Sequence, residues 1–217
     1  MTVKLFIDDR EIDVEEGANL LETCLKNEIY IPNLCHIEGA GKPSASCRLC
    51  FVEIEGNDAP LPSCALSVQE GMRVKTDSTR VRNLQKAAFE LLLSAHEVDC
   101  GNCPANKRCG LQRIAKFLKV GLKPKRLEKH LKDGDDSAEH PVLSFFPNRC
   151  VLCGRCAYVC EQTHGKPFLT IAGRGFDAII SFYGMEDPVI LPCGECRACV
   201  DICPVAAILL KDDNDSR

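Results

Sequence analysis

The stretch Cys150-Val151-Leu152-Cys153-Gly154-Arg155-Cys156-Ala157-Tyr158-Val159-Cys160 returns later in the chain as Cys193-Gly194-Glu195-Cys196-Arg197-Ala198-Cys199-Val200-Asp201-Ile202-Cys203-Pro204, one Cys-x2-Cys-x2-Cys-x3-Cys spacing used twice. Three cysteines at intervals of three wrap a loop around one cubane, while the fourth, on the turn that follows, points toward the other cubane. The expected ligand sets therefore cross over. Cys150, Cys153, Cys156 and Cys203 hold one [4Fe-4S] cluster, and Cys193, Cys196, Cys199 and Cys160 hold the second. A pair of four-cysteine zinc sites is the competing reading, but zinc modules pair two short Cys-x2-Cys knuckles and rarely crowd four thiols so closely.

Upstream, His96-x3-Cys100-x2-Cys103-x5-Cys109 offers one imidazole and three thiols in a loop between two helical patterns. Spacing alone leaves His96 open between a cubane ligand and a bystander, with zinc on three thiolates and one imidazole as a competitor. Further upstream, Cys35-x11-Cys47-x2-Cys50-x13-Cys64 departs from the shorter plant-type ferredoxin spacing, which leaves zinc and [2Fe-2S] both open. Cys24 lies at a helical core position beside Leu20, Leu21 and Leu25 and reads as a small buried hydrophobe. Setting Cys24 aside leaves fifteen of the sixteen cysteines, and His96 makes sixteen donors, which divide into four sets of four with nothing left over.

The segments around these sets read as an α+β chain of 217 residues. Val3, Leu5 and Ile7 alternate, and after Asp8-Asp9 so do Ile12 and Val14, which predicts a hairpin. Asn19 with Glu22 three residues on predicts a capped helix carrying Leu20, Leu21, Cys24 and Leu25, and Phe51 to Ile54 and Met72 to Lys75 predict further strands. From Thr79 the pattern turns helical, with one stripe of Val81, Leu84, Ala88, Leu91 and Leu92 and a second of Leu111, Ile114, Ala115 and Leu118. Lys132 to His140 reads as a linker, Gly173-Arg174-Gly175 as the turn of a hairpin between Phe168 to Ala172 and Phe176 to Phe182, and Lys211 to Arg217 as a tail. The expected domains are 1–78, 79–140 and 141–217.

Composition narrows the class. The chain is 45% hydrophobic, too apolar for a disordered one. Its first ten residues lack the basic start and apolar core of a secretory signal, and its most apolar window, Ala87 to Ala95, is broken by Glu90. A soluble, cytoplasmic protein without membrane insertion is expected, in a compartment where disulfides are disfavoured and metal explains the thiols. Between Arg80 and Lys132 stand thirteen Lys and Arg against four acids, a net +9 within a chain of net −4. The overall acidity, 6% aromatic content and absence of nucleic-acid motifs argue against a nucleic-acid partner.

The order of the sets resembles the N-terminal part of the large iron-sulfur subunit of respiratory NADH:quinone oxidoreductase. Cys47-Arg48-Leu49-Cys50-Phe51-Val52-Glu53 is similar to that family's [2Fe-2S] loop, and His96 to Cys109 followed by Leu111-Gln112 to its cubane loop. The resemblance implies that Cys35, Cys47, Cys50 and Cys64 hold [2Fe-2S] in a β-grasp domain, and that His96, Cys100, Cys103 and Cys109 hold a [4Fe-4S] cluster in a helical domain. A two-[4Fe-4S] ferredoxin-like domain then completes the chain. Retention of both C-terminal sets, with no catalytic domain after them, resembles the small diaphorase-type subunit of NAD-linked bidirectional or electron-bifurcating hydrogenases.

Four protein ligands close each cluster to substrate, so the expected role is conduction. No Rossmann glycine motif or P-loop provides a seat for nicotinamide, flavin or nucleotide. Splitting the electron pair of NAD(H) then falls to a flavin-bearing, NAD(H)-binding diaphorase subunit, with a catalytic oxidoreductase, a hydrogenase first, as the other partner. Relay subunits of a formate dehydrogenase or a benzoyl-CoA-type reductase, and a zinc-stabilised scaffold, are the alternative readings.

Overall fold

The computed structural model describes residues 1–133, 140–183 and 193–211. The chain forms two compact units, one of Met1–Glu90 with Lys116–Val120 and one of Leu91–Ala115 with Gly121–Arg217.

In the first unit, β1 (Thr2–Ile7) and β2 (Arg10–Glu15) form an antiparallel hairpin with Val3 opposite Val14 and Leu5 opposite Ile12. Asp8 and Asp9 both adopt positive φ, 49° and 66°, the backbone a two-residue turn of this hand requires. Asp8 also accepts hydrogen bonds from the backbone N–H and hydroxyl of Thr76, which ties the turn to the end of the strand paired with the other edge of β1. α1 (Leu20–Lys26) follows, capped by Asn19, whose Oδ1 accepts the Glu22 N–H at 3.2 Å. The Glu22 carboxylate does not close a reciprocal box. It accepts the Gly39 N–H at 3.0 Å and lies 3.5 Å from His36 Nε2, holding the loop just after Cys35.

β3 (Phe51–Ile54), β4 (Leu61–Pro62) and β5 (Arg73–Lys75) complete a five-stranded sheet in the order β2-β1-β5-β3-β4. β5 runs parallel to β1 and antiparallel to β3. Leu5, Ile7, Leu20, Leu21, Val52, Val68 and Val74 form its core with Cys24, which is fully buried as a small hydrophobe, its thiol pushed up to about 12 by burial. Burial puts the thiolate out of reach and leaves Cys24 a packing residue.

α2 (Thr79–Ser94) begins where the Ser78 hydroxyl oxygen accepts the Val81 N–H at 3.1 Å. Its buried face is Val81, Gln85, Ala88, Phe89 and Leu93, while Leu84 and Leu91 are exposed, Leu91 by 62%. The stripe expected from sequence is corrected here. Gln85 breaks the apolar pattern, yet it is buried because its Nε2 donates to the Phe51 carbonyl at 3.2 Å, and that rotates the inward face by about one residue. α3 (Gly110–Leu118) buries Leu111, Ile114, Ala115 and Leu118, the face its spacing predicts.

In the second unit, β6 (Leu143–Phe145) pairs antiparallel with β9 (Ile208–Leu210), and β7 (Leu169–Ala172) with β8 (Ile179–Phe182). The β7–β8 connection is longer than expected, because Gly175–Asp177 forms a 3-10 turn and β8 begins only at Ile179. Gly173 is required there. Its φ is +76°, and an added Cβ would stand 2.5 Å from the Asp177 carbonyl oxygen. α4 (Arg155–His164) carries Cys156 and Cys160, α5 (Cys193–Cys196) carries Cys193 and Cys196, and α6 (Ala198–Asp201) carries Cys199. Most of the expected linker, 134–139, and of the expected tail, 212–217, lies outside the described residues.

The corrected face of α2 makes an unequal pair of substitutions. Phe89→Ala is expected to lower unfolding stability by about 3–5 kcal/mol, and Leu91→Ala by less than about 0.5 kcal/mol. Denaturant melts of both variants measure the difference, and equal losses contradict the assigned face.

Candidate metal centres

Cys35, Cys47, Cys50 and Cys64 are all buried in the first unit, none more than 4% exposed. The Cys35 and Cys47 sulfurs lie 3.4 Å apart. Their hydrogen bond pushes the Cys35 thiol down and the Cys47 thiol up, and a second thiol pair, Cys50 and Cys64, splits the same way, with Cys50 down and Cys64 up. The charge of Cys35 also raises Cys50, and Cys35 and Cys47 both raise Cys64, so the four thiols feel one another as a group. Hydrogen bonds fix the loops that carry them. Ser63 donates both its backbone N–H and its hydroxyl to the Cys50 carbonyl at 2.8 Å, and Asn19 Nδ2 donates to the Cys64 carbonyl at 2.7 Å. The helix cap and the last cysteine of the set are thus one construction.

His96, Cys100, Cys103 and Cys109 line one cavity of about 60 Å³ in the second unit. Room for a single water-sized body is about 10–15 Å³ on the same measure, so the space exceeds that of one small ion. His96 is 8% exposed, and its Nδ1 stands 2.9 Å from the Arg149 carbonyl. A carbonyl only accepts, so Nδ1 bears the proton and Nε2 keeps a free lone pair. Burial holds the ring neutral, pulling it down to about 4 against the pull of that carbonyl, with the Lys129 and Arg149 charges adding to the effect. Lys129 Nζ donates to the Leu93 and His96 carbonyls at 2.7 and 3.0 Å, which fixes the chain on either side of the turn into the loop. Gln112 clamps the other end, accepting the Lys107 N–H at 2.7 Å and donating to Asn106 Oδ1 at 2.9 Å.

The repeated sets interleave. Burial pushes the Cys150 thiol up to about 12, against a hydrogen bond from the Leu152 N–H and with the charges of Cys153 and Cys203 behind it. Cys156 is raised by burial and then by Cys153, Cys150 and Cys203, with Cys199 the weakest contributor. In the other group, Cys193 is raised by burial and then by Cys160 and Cys196; Cys199 is raised to about 12 by burial and then by Cys193, Cys160 and Cys196. The fourth cysteine of each run therefore acts on the first and third of the other. Polar hydrogens reach the sulfurs: the Ala207 N–H donates to Cys203 Sγ at 3.2 Å, the Leu152 N–H to Cys150 Sγ at 3.4 Å, and His164 Nε2 lies 3.2 Å from Cys196 Sγ.

Left-handed backbone at non-glycine residues gathers in these loops. Arg48, Lys107, Leu152, Arg197 and Ala206 have φ of 51°, 70°, 49°, 50° and 50°, each within three residues of a cysteine of a set. Each such residue costs of the order of 1–3 kcal/mol and persists where surrounding structure over-determines it. Sequence reasoning missed His164, Asn19 as the tether of Cys64, and the Arg149 carbonyl. Of these only His164 left a signal, four residues after Cys160 on one face of α4. Among the described residues no three His, Cys, Asp or Glu side chains converge within reach of a single metal ion. Donors of a polynuclear cluster bind different irons and surround a space rather than a point.

Residues 1–79 match the 2Fe-2S iron-sulfur cluster binding domain, and residues 85–122 match the NADH-ubiquinone oxidoreductase-G iron-sulfur binding region. The chain is 30% identical over 209 residues to the NADH-ubiquinone oxidoreductase 75 kDa subunit of Reclinomonas americana, covering 96% of this chain and 29% of that protein. It is also 32% identical over 210 residues to the NADP-reducing hydrogenase subunit HndD of Solidesulfovibrio fructosivorans, covering 94% of this chain and 35% of that one. The chain thus spans about a third of the length of these curated relatives. Its fold superposes on a chain of the crystal structure of NAD+-reducing [NiFe]-hydrogenase in the H2-reduced state, with TM-score 0.82, 30% identity and coverage of 96% of this chain and 87% of that one. This is an iron-sulfur protein with a 2Fe-2S domain and a 4Fe-4S binding region. It belongs to the family of iron-sulfur subunits shared by NADH-quinone oxidoreductases and NAD(P)-reducing hydrogenases. Among the described residues no helix is long and apolar enough to cross a membrane.

The double role of Asn19 is testable in the folded protein. Asn19→Ala removes both the cap and the tether of Cys64, and stability is expected to fall by about 1–2 kcal/mol. Asn19→Asp keeps the capping oxygen but loses the donor to Cys64, so it is expected to recover part of the loss in the same thermal melts.

Proposed function

We propose that this chain is an electron relay, carrying charge through one [2Fe-2S] and three [4Fe-4S] clusters between a flavin-bearing, NAD(H)-binding subunit and a partner redox enzyme, a hydrogenase first. Cys35, Cys47, Cys50 and Cys64 hold the [2Fe-2S] cluster in a β-grasp domain, a reading supported by the β2-β1-β5-β3-β4 order with its parallel β1–β5 pair. His96, Cys100, Cys103 and Cys109 hold one [4Fe-4S] cluster, supported by their shared cavity and the free Nε2 of His96. The crossed sets hold the other two. When bound, clusters with four protein ligands each accept and release single electrons and offer no open iron to a substrate.

The observation that carries the relay is a seam of two hydrogen bonds onto backbone carbonyls between neighbouring donor sets. His96 Nδ1–H donates to the carbonyl of Arg149, the residue before Cys150. The Gly110 N–H, next to Cys109, donates at 2.8 Å to the carbonyl of Pro204, next to Cys203. Ala105, Ala206 and Leu209 pack beneath the seam with Cys103 and Cys109 against them. Two sets that shared no task would have no need of such joined loops. The hydrogenase assignment is supported by the superposition on a chain of the NAD+-reducing [NiFe]-hydrogenase, most of whose length the present chain covers.

Anaerobically purified protein is expected to be brown and to contain about fourteen irons and as many acid-labile sulfides per chain; a colourless zinc protein refutes the relay. Cys203→Ala is expected to remove the paramagnetic signal of the cluster held by Cys150, Cys153 and Cys156 and to spare that of Cys193, Cys196 and Cys199. The reverse pattern overturns the crossing. His164→Phe is expected to make the second of those clusters harder to reduce, since hydrogen bonds to the ligand sulfur help set the potential; redox titration followed by paramagnetic resonance measures the shift.

A further inference from the structure

We infer that an arginine-rimmed cavity beside Cys203 is the port through which electrons pass between this chain and the acidic face of a protein partner, an inference that rests on the relay reading above. The cavity, about 680 Å³, lies wholly in the second unit. Arg108, Arg113, Arg155 and Arg197 line it, with Asp201 the single acid among the described residues. Cys203 is part of the same wall, and Gly110, half of the seam between two donor sets, stands beside it.

At Arg108, Arg113 and Arg155 the charge is not spent in an ion pair among the described residues. Arg108 donates to the Pro104 carbonyl at 3.3 Å. The Arg155 Nε is buried with no hydrogen-bond partner among the described residues. Arg108, Arg113 and Arg197 are exposed. The remaining wall is apolar, with Val200 and Leu209 contributing. An apolar floor under an arginine rim is the composition of a protein interface rather than of a phosphate cradle, and its volume far exceeds one phosphate group. A basic rim raises the encounter rate of an acidic partner. The transfer itself moves one electron from the reduced chain to a one-electron acceptor, or the reverse, with no bond formed and no proton moved.

The test uses the iron-loaded chain, reduced and freed of reductant, mixed in a stopped-flow instrument at low salt with an anionic oxidant, ferricyanide, or a cationic one, hexaammineruthenium(III). The double variant R108E/R113E is expected to slow oxidation by ferricyanide roughly tenfold or more and to leave or quicken that by hexaammineruthenium. R108K/R113K, which keeps the charge, retains the wild-type rates, and K75E, a reversal on the first unit, does not change the ratio. Poly-L-glutamate is expected to protect the wild-type chain from ferricyanide, and inorganic pyrophosphate at equal charge to protect it far less.

A variant that slows both oxidants alike, or whose potentials shift in a paramagnetic-resonance titration, assigns the arginines to offsetting cluster charge and overturns the port. Equal protection by pyrophosphate makes the cavity a small-anion site and overturns it too. If the wild-type chain takes up no iron the relay reading fails, whereas a fully loaded chain whose oxidant preference ignores the arginines sinks the port alone.

Discussion

Sulfur binds metal as the thiolate, and the fold has to keep anionic sulfur out of water without leaving it unsupported. That tension shows in the direction of the buried thiols: Cys150, Cys156, Cys193 and Cys199 are all pushed up, burial first and neighbouring thiolates next. An empty set of four such thiols resists ionisation, so metal binding and proton release are coupled. The chain lowers the cost locally. N–H groups of Leu152 and Ala207 point at sulfur, and His164 stands against Cys196. The net +9 of the segment from Arg80 to Lys132 sets positive charge around the middle donor set, inside a chain that is acidic overall.

Aiming backbone N–H groups inward requires tight loops, and the chain achieves them at a conformational cost. Leu152 and Ala206 have positive φ near 50°, and each stands in the loop that directs an N–H to sulfur. Glycine would adopt this backbone freely, yet only Gly154 does so among the corresponding positions. The strain is borne by packing elsewhere: the five-stranded sheet and α1 hold the first set, and the paired strands β6 and β9 bracket the repeated runs. Rigid loops suit a relay, because small change in the loops between oxidation states keeps each electron step from waiting on rearrangement.

The legible parts of this molecule are those written in spacing. The hairpin of β1 and β2, the Asn19 cap and the buried face of α3 all stand in the sequence, because period-2 alternation, capping chemistry and helical spacing are local rules. What was hidden depends on partners distant in the chain. Gln85 is buried because of the Phe51 carbonyl, which no helical pattern announces, so the inward face of α2 lies about one residue away from the stripe its apolar pattern predicts. Glu22 sits where a capping box needs it but serves the loop after Cys35 instead. The arginines of the basic cavity come from the Cys109 loop, α3, α4 and the start of α6, and only the fold gathers them.

His96 concentrates the logic of the second unit. Its spacing from Cys100 left ligand and bystander open, and burial alone would favour the bystander, since a buried neutral ring packs well. The Arg149 carbonyl decides the chemistry that remains. By taking the Nδ1 proton it fixes the tautomer and orients the ring with Nε2 unengaged, the second-sphere arrangement that metal-ligating histidines use. The same contact joins the proposed histidine ligand to the peptide of the proposed ligand Cys150 in the next set. Cysteine at this position would have no ring N–H to give that carbonyl, so imidazole supplies a donor atom and a bridge from a single side chain. One hydrogen bond therefore serves the tautomer, the orientation and the connection between sets, and the neutral ring adds no further anion to an already crowded group of thiolates.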